Sequence, residues 1–167
     1  MARTALVRTA LAVLTAVALA ACDGPAEHNA ADTAFARRMI PHHAQAVDMA
    51  ALVDGRTTNT EVVDLAQRIR TSHEPEIATM TDWLRAWGEP AAAQRSDEDM
   101  TELKAAEDTD FDRRWLAMMI IHHRSAVEEA ETALAQGTHP RAKALARRIV
   151  DAREAEIGEM QALLPQG

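Results

Sequence analysis

An all-helical fold is predicted by three observations. Strand-forming residues are scarce: the 167-residue chain has two Phe, three Trp and no Tyr, with six Gly and six Pro, while Ala, Leu, Arg and Glu are abundant. The chain also repeats itself, without a gap, at an offset of 80 positions. Apolar residues then fall at helical spacing, as at Val62, Leu65, Ile69, Ile77, Met80 and Leu84. These features predict a helix bundle of two repeated helical hairpins, its core filled with Ala, Leu, Ile, Val and Met. The length fits a single domain once a leader is removed.

In chain order, the first element is a leader over residues 1–21. Arg3 and Arg8 are its only charges, an apolar run from Thr9 to Ala21 follows, and Leu19-Ala20-Ala21-Cys22 resembles a bacterial lipobox. The apolar run is too short to read as a membrane span. Cys22 is therefore expected to be the acylated N-terminus, and it is the only cysteine, so disulfides and thiolate metal ligation are excluded from the domain. Residues 22–31 read as a tether. The duplicated domain spans residues 32–165, with repeats at about 32–87 and 112–164. Within it Met39-Ile40 matches Met119-Ile120, His42-His43 matches His122-His123, and Glu76-Ile77 matches Glu156-Ile157.

Asp32 and Asp112 are expected to be the N-caps of the first helix of each hairpin, with Phe111 and Leu116 stapling the second cap. The first hairpin should turn near Gly55 to Asn59, where Thr58 and Glu61 have capping-box spacing. The second should turn near Gly137 to Pro140. Second helices should run to about Trp87 and Leu164. Gly88-Glu89-Pro90 breaks the chain between the halves, and Ser96 to Asp99 can cap a short linker helix ending near Ala106. Pro41 is expected to kink the first helix at a cost of roughly 3 kcal/mol; its counterpart is Ile121, so the fold itself does not require it.

The chemistry is concentrated in the repeated Met-x-x-His-His. On a helix Met39 points to the same side as His42 and His43, and Met49 returns to the His42 edge two turns later. The second half offers Met119, His122 and His123, with Met118 beside them and Glu129 at the position of Met49. Imidazole and thioether suit copper, Cu(I) above all, because a soft cation gains from polarizable sulfur. Zinc is possible through the four histidines, and nickel and cobalt also accept imidazole. Glu76 and Glu156 read as partners that orient His rings. Met80 and Met160 read as core fillers. His73 is expected on the surface, and His28 and His139 in solvent, in the tether and a turn.

The net charge of −8, which becomes about −10 when Arg3 and Arg8 leave with the leader, makes nucleic acid an improbable partner. No phosphate loop, nucleophile elbow or zincin motif is present, so nothing argues for catalysis.

The segments from Met39 to Ala50 and Met119 to Ala130, with the Glu-Ile-x-x-Met runs at Glu76 to Met80 and Glu156 to Met160, resemble the signature of bacterial domain-of-unknown-function family three hundred and five. The resemblance covers about Asp32 to Leu164. It implies a ferritin-like four-helix bundle, secreted or lipid-anchored, and copper binding as in the CopM-type members. Carried over by position, it implies ligands Met39, His42, His43 and Met49 in the first half and Met119, His122 and His123 in the second. Glu129 departs from the usual second Met, which favours one strong site or one shared between halves.

Two functional expectations from different classes follow. One is an extracytoplasmic lipoprotein, on the cell surface or in the periplasm, that sequesters or transfers copper and touches the membrane only through its anchor. The other is a metal-independent helical interaction module with structural His pairs. A ferritin-like metal oxidase is the weaker third.

Overall fold

The computed structural model describes residues 27–93 and 100–164; the leader, Cys22 and Ser96 to Asp99 lie outside them. The described residues are all-α: α1 (Ala30–Ala51), α2 (Thr60–Ala86), α3 (Thr101–Ala105), α4 (Asp108–Gln136) and α5 (Pro140–Leu163). None of these helices is long and apolar enough to cross a membrane. α1 packs on α2 and α4 on α5, and the two hairpins meet mainly through α1 and α4.

The helix starts differ from the sequence reading. Asn29, not Asp32, caps α1: its side chain accepts hydrogen bonds from the Ala31 and Asp32 amides at 3.0 Å, and Asp32 answers by accepting from the Asn29 amide. Ala30 and Ala31 are strong helix formers and carry the helix back one turn. Asp32 Oδ2 also accepts from the amides of Thr138 and His139, both at 3.0 Å, which ties the start of α1 to the α4–α5 turn. Gly137 permits that approach, since a Cβ there would lie 2.5 Å from Asp32 Oδ1. Asp112 lies inside α4, whose cap is Glu107. The extra turn is held by Asp110, which accepts from Arg113 and Arg114 at 2.6 and 2.8 Å. Phe111 and Leu116 go into the core instead of stapling a cap. Asn59, one residue past Thr58, caps α2 by accepting from the Glu61 amide. Pro41 sits within α1, which runs unbroken past it, and Pro75 lies within α2.

The core is two apolar clusters. One joins the C-terminal part of α1 (Ala46, Met49, Ala50) to the N-terminal parts of α2 (Val62, Leu65, Ile69) and α4 (Phe111, Trp115, Leu116, Met119), together with Met160 of α5. The other joins Phe35, Ala36 and Met39 of α1 to Met80 and Leu84, to Ala126, Ala130 and Ala133 of α4, and to Leu145, Ala146 and Ile149 of α5. The start of α1 thus lies with the end of α4, and the reverse, so the two helices run antiparallel, as expected when homologous halves face each other. At both ends a methionine of one helix shares its cluster with alanines of the other. Large-against-small packing of this kind lets α1 and α4 approach closely.

Candidate metal centre

In sequence, the repeated His pairs lie between the residues that form these two clusters, and the structure places both pairs in the interior. His43 and His123 are fully buried, and His42 and His122 are 5% and 7% exposed. The repeat explains the arrangement. On α1 and α4 the residues one turn before the histidines enter one cluster and the residues one turn after enter the other, so the histidines fall at mid-length and face their own counterparts. The rings of His42 and His122 lie 3.7 Å apart between centroids, tilted by 38°.

Both inner histidines are oriented by carboxylates from the neighbouring helix of the same hairpin. His43 Nε2 lies 2.8 Å from Glu76 Oε2, and His123 Nε2 lies 2.7 Å from Glu156 Oε2. This is the orienting role the sequence assigned to the two glutamates. A carboxylate only accepts, so each Nε2 carries its hydrogen and each Nδ1 is left with a lone pair. Those Nδ1 atoms are buried and have no hydrogen-bond partner among the described residues.

Two further side chains complete the layer, and sequence reasoning missed both. His73, expected on the surface, is 1% exposed and Arg153, its counterpart in the repeat, is 0% exposed. His73 Nδ1 is 2.7 Å from the Ile69 carbonyl, to which it donates, leaving Nε2 to accept from Arg153 Nη1 at 3.2 Å. Arg153 Nη1 also donates to Glu156 Oε2 at 2.8 Å, while Nη2 reaches Glu76 Oε2 at 3.5 Å and Ser72 Oγ at 3.4 Å. The ring of His73 lies 4.4 Å from that of His43 and 5.9 Å from that of His123. The missed signal was periodicity: Ile69, His73, Glu76 and Met80 fall on one stripe of α2, as Ile149, Arg153, Glu156 and Met160 do on α5.

Burial sets the charge of this layer. It pulls His43 below the ordinary imidazole range, partly offset by Glu76. It does the same to His123, partly offset by Glu156, and to His73, where His43 and Arg153 push the same way. These rings are therefore neutral near pH 7, the form that binds a metal without losing a proton. Glu156 is raised by burial, but the His123 hydrogen bond and the Arg153 charge outweigh this and leave it below the usual carboxylate range.

The seven proposed ligands do not gather at one point. Met39 lies in the cluster with Met80, whereas Met49 and Met119 lie in the other, with Met100 and Met160 and with Met118 packed against it. All of the seven methionines and histidines are nevertheless interior. Among the described residues no three side chains drawn from His, Cys, Asp and Glu are grouped to hold a metal ion. The layer thus offers paired imidazoles flanked by thioethers in place of an oxygen and nitrogen cage. His139, expected in solvent, is 7% exposed and caps α5 by accepting from the Ala142 amide, and His28 stacks on Trp87 at 4.5 Å.

The family model described as Domain of unknown function (DUF305) matches residues 32–164. The chain belongs to the DUF305 family. Among solved structures, a DUF305 protein of Streptomyces coelicolor, described as a candidate secreted protein, is 32% identical, with a TM-score of 0.75 over 80% of this chain and 89% of that one. A DUF305 fragment from Deinococcus radiodurans is 29% identical, with a TM-score of 0.74 over 84% and 97%. CopM in its Cu(I)-bound form is 30% identical, with a TM-score of 0.72 over 78% and 93%, and CopM has also been solved in Cu(II)-bound, Ag-bound and apo forms. No curated protein matches the chain in sequence.

Proposed function

We propose that this DUF305 protein is an extracytoplasmic metal-binding protein, a ferritin-like four-helix bundle anchored through an acylated Cys22, that sequesters or passes on copper. The observation that carries the reading is the pair of buried Nδ1 atoms on His43 and His123 that have no hydrogen-bond partner among the described residues, each ring fixed by a carboxylate on its opposite nitrogen. Two lone pairs aimed by hydrogen bonds and buried without a proton are what a metal ligand requires and what a packing histidine has no use for.

The donor chemistry favours Cu(I). A soft ion is satisfied by few ligands and accepts the neutral sulfurs of Met39, Met49 and Met119, whereas zinc in a structural site takes four donors in a tetrahedral cage. CopM, seen with Cu(I), Cu(II) and silver, supports copper in general. The Streptomyces relative's description supports a location outside the cytoplasm. The reading assigns no catalytic step: both carboxylates are already engaged by histidine and by Arg153, whereas an oxidase would need them on metal.

The closed network of Glu76, Glu156, Arg153 and the histidines favours one other reading, the metal-independent interaction module. Thermal unfolding of the purified protein with Cu(I), Cu(II), Zn(II) or no metal separates the two, with a variant carrying His42→Ala, His43→Ala, His122→Ala and His123→Ala measured in parallel. Copper is expected to raise the melting temperature, and the variant, while still helical, to lose that shift. A protein stabilised by no metal, with a variant that only melts lower, would make the histidines structural.

A further inference from the structure

Beside the paired imidazoles lies a second donor set. His43 of α1, His73 and Glu76 of α2, His123 of α4 and Glu156 of α5 bring three buried imidazoles and two partly buried carboxylates together, drawn from all four long helices. His43 and His123 turn their Nε2 hydrogens to the carboxylates, so the atoms that face a cation here are the carboxylate oxygens and His73 Nε2, donors that suit divalent cations. A cation is already there. The guanidinium of Arg153 donates to Glu156 Oε2 and Glu76 Oε2, the same oxygens that the two histidines contact, and also meets His73. Its Nε has no hydrogen-bond partner among the described residues, so the group is held by its terminal nitrogens alone. The repeat shows that the fold does not require arginine here, since the equivalent position in the first half is His73.

We propose that Arg153 is a built-in cation standing where a divalent metal would otherwise sit, so that this carboxylate and imidazole centre is closed to divalent ions. With Arg153 among them, these side chains are not grouped to hold an ion. The charge balance is the reason. Glu76 and Glu156 place two negative charges in a partly buried layer, and a fixed guanidinium neutralises one of them and occupies their facing oxygens. A divalent ion would have to displace a group that is covalently part of α5 and never loses its charge. Arg153 is in this sense a specificity-determining residue: it leaves uptake to the soft ligands of the neighbouring Met and His positions. The inference does not depend on copper being the cargo.

Co(II) is the probe, because its visible ligand-field absorption reports coordination directly. The purified protein is titrated beside Arg153→His, which places in the second half the residue found in the first. Removing a buried guanidinium is destabilising, so Arg153→His combined with Glu76→Gln is measured as well, one carboxylate having been neutralised along with the arginine. The expected result is no ligand-field bands in the wild type and bands saturating at a single equivalent in the variants. Those bands should vanish when Glu156→Gln is added. Wild-type bands that vanish with Glu76→Gln and Glu156→Gln would overturn the proposal. So would helical variants that bind no Co(II), or unfolded variants that Co(II) fails to restore, either of which would make Arg153 a structural residue only. A Cu(I) titration of the same proteins fails or succeeds independently, which separates this inference from the copper reading.

Discussion

The two ends of the molecule are built from equivalent positions yet differ in bulk and in chemistry. The end holding Trp115, Leu116, Val53 and Val62 has, at the matching places of the other end, Phe35, Ala36, Ala133 and Ala142. It is also covered by Met100 and by Leu103 of α3. Across the α1–α4 interface the bulkier end sets Met49 and Met118, where the smaller end has Glu129 and Arg38 joined by a 2.7 Å ion pair. Five methionines thus belong to one end, counting Met118 at its edge, and two to the other. The difference teaches that the duplication preserved the middle layer while the ends diverged. His42, His43 and Glu76 are repeated without change, whereas His73 is matched by Arg153 and Ser72 by Ala152.

The largest expected effect is at the bulkier end. Trp115 is fully buried and donates its indole hydrogen to the Met49 carbonyl at 2.9 Å. Trp115→Ala should cost about 3–5 kcal/mol, measured by chemical denaturation. Trp83→Ala, which removes a partly buried ring from the edge of the smaller end, should cost clearly less. Equal losses would mean that the ends are energetically alike despite their composition.

A closer test uses positions that the repeat keeps identical. Met39→Ala and Met119→Ala each remove a fully buried side chain, one at each end, and each should cost about 2–5 kcal/mol. The two values should agree more nearly than the tryptophan pair, because each methionine shares a cluster with alanines of the opposite helix. If the Cu(I)-induced rise in melting temperature is lost in only one of them, the soft-metal site belongs to that end.

The layer between the ends gives an effect that should be indifferent to which end is truncated. Burial keeps His43, His123 and His73 neutral in the folded protein, below the ordinary value of 6.5. The unfolded chain takes up those protons as the pH falls through 6.5, so it binds more protons than the folded state there and stability declines toward acid. The contribution is complete above that pH and is lost progressively below it, by about 1.4 kcal/mol per pH unit for each imidazole. Metal-free protein should therefore melt lower at about pH 5.5 than at about pH 7.5. Met39→Ala and Met119→Ala should show the same acid decline as the wild type. A melting temperature indifferent to acid would mean that these rings protonate in place.

Much of this was legible in the sequence, and the misses share a cause. The hairpins, their turns and the two orienting glutamates follow from periodicity and from the 80-residue repeat, both properties of one segment at a time. Asp32 was expected to cap α1 because the short polar residue before the Met-x-x-His-His run is the usual signal. Asn29 takes that place, and Asp32 is instead used by the Thr138 and His139 amides, 106 and 107 residues away, which only the folded chain brings close. His73 was read as a surface residue because its repeat partner is an arginine, and a charged residue is rarely buried alone. Both are buried because each answers the other and the pair of glutamates. Asymmetry between repeats was taken as a sign of exposure when it marked a contact between them.

The smallest expected change in stability comes from making the ends alike at the α1–α4 edge. Arg38 and Glu129 are 53% and 30% exposed, so their ion pair is screened and contributes about 0–1 kcal/mol. Arg38→Met with Glu129→Met should alter denaturant stability by no more than about 1 kcal/mol, because two flexible thioethers replace two long charged chains at a half-open edge. The metal response is where the substitution acts. If the thioethers of Met49 and Met118 help the bulkier end to take a soft ion, the double variant gives the smaller end the same pair beside Met39 and the same histidine layer. Ag(I) titration followed by thermal unfolding should then show a higher stoichiometry and a larger stabilisation than the wild type. An unchanged response would assign metal uptake to the imidazoles alone and leave the methionine surplus of the bulkier end as a matter of packing.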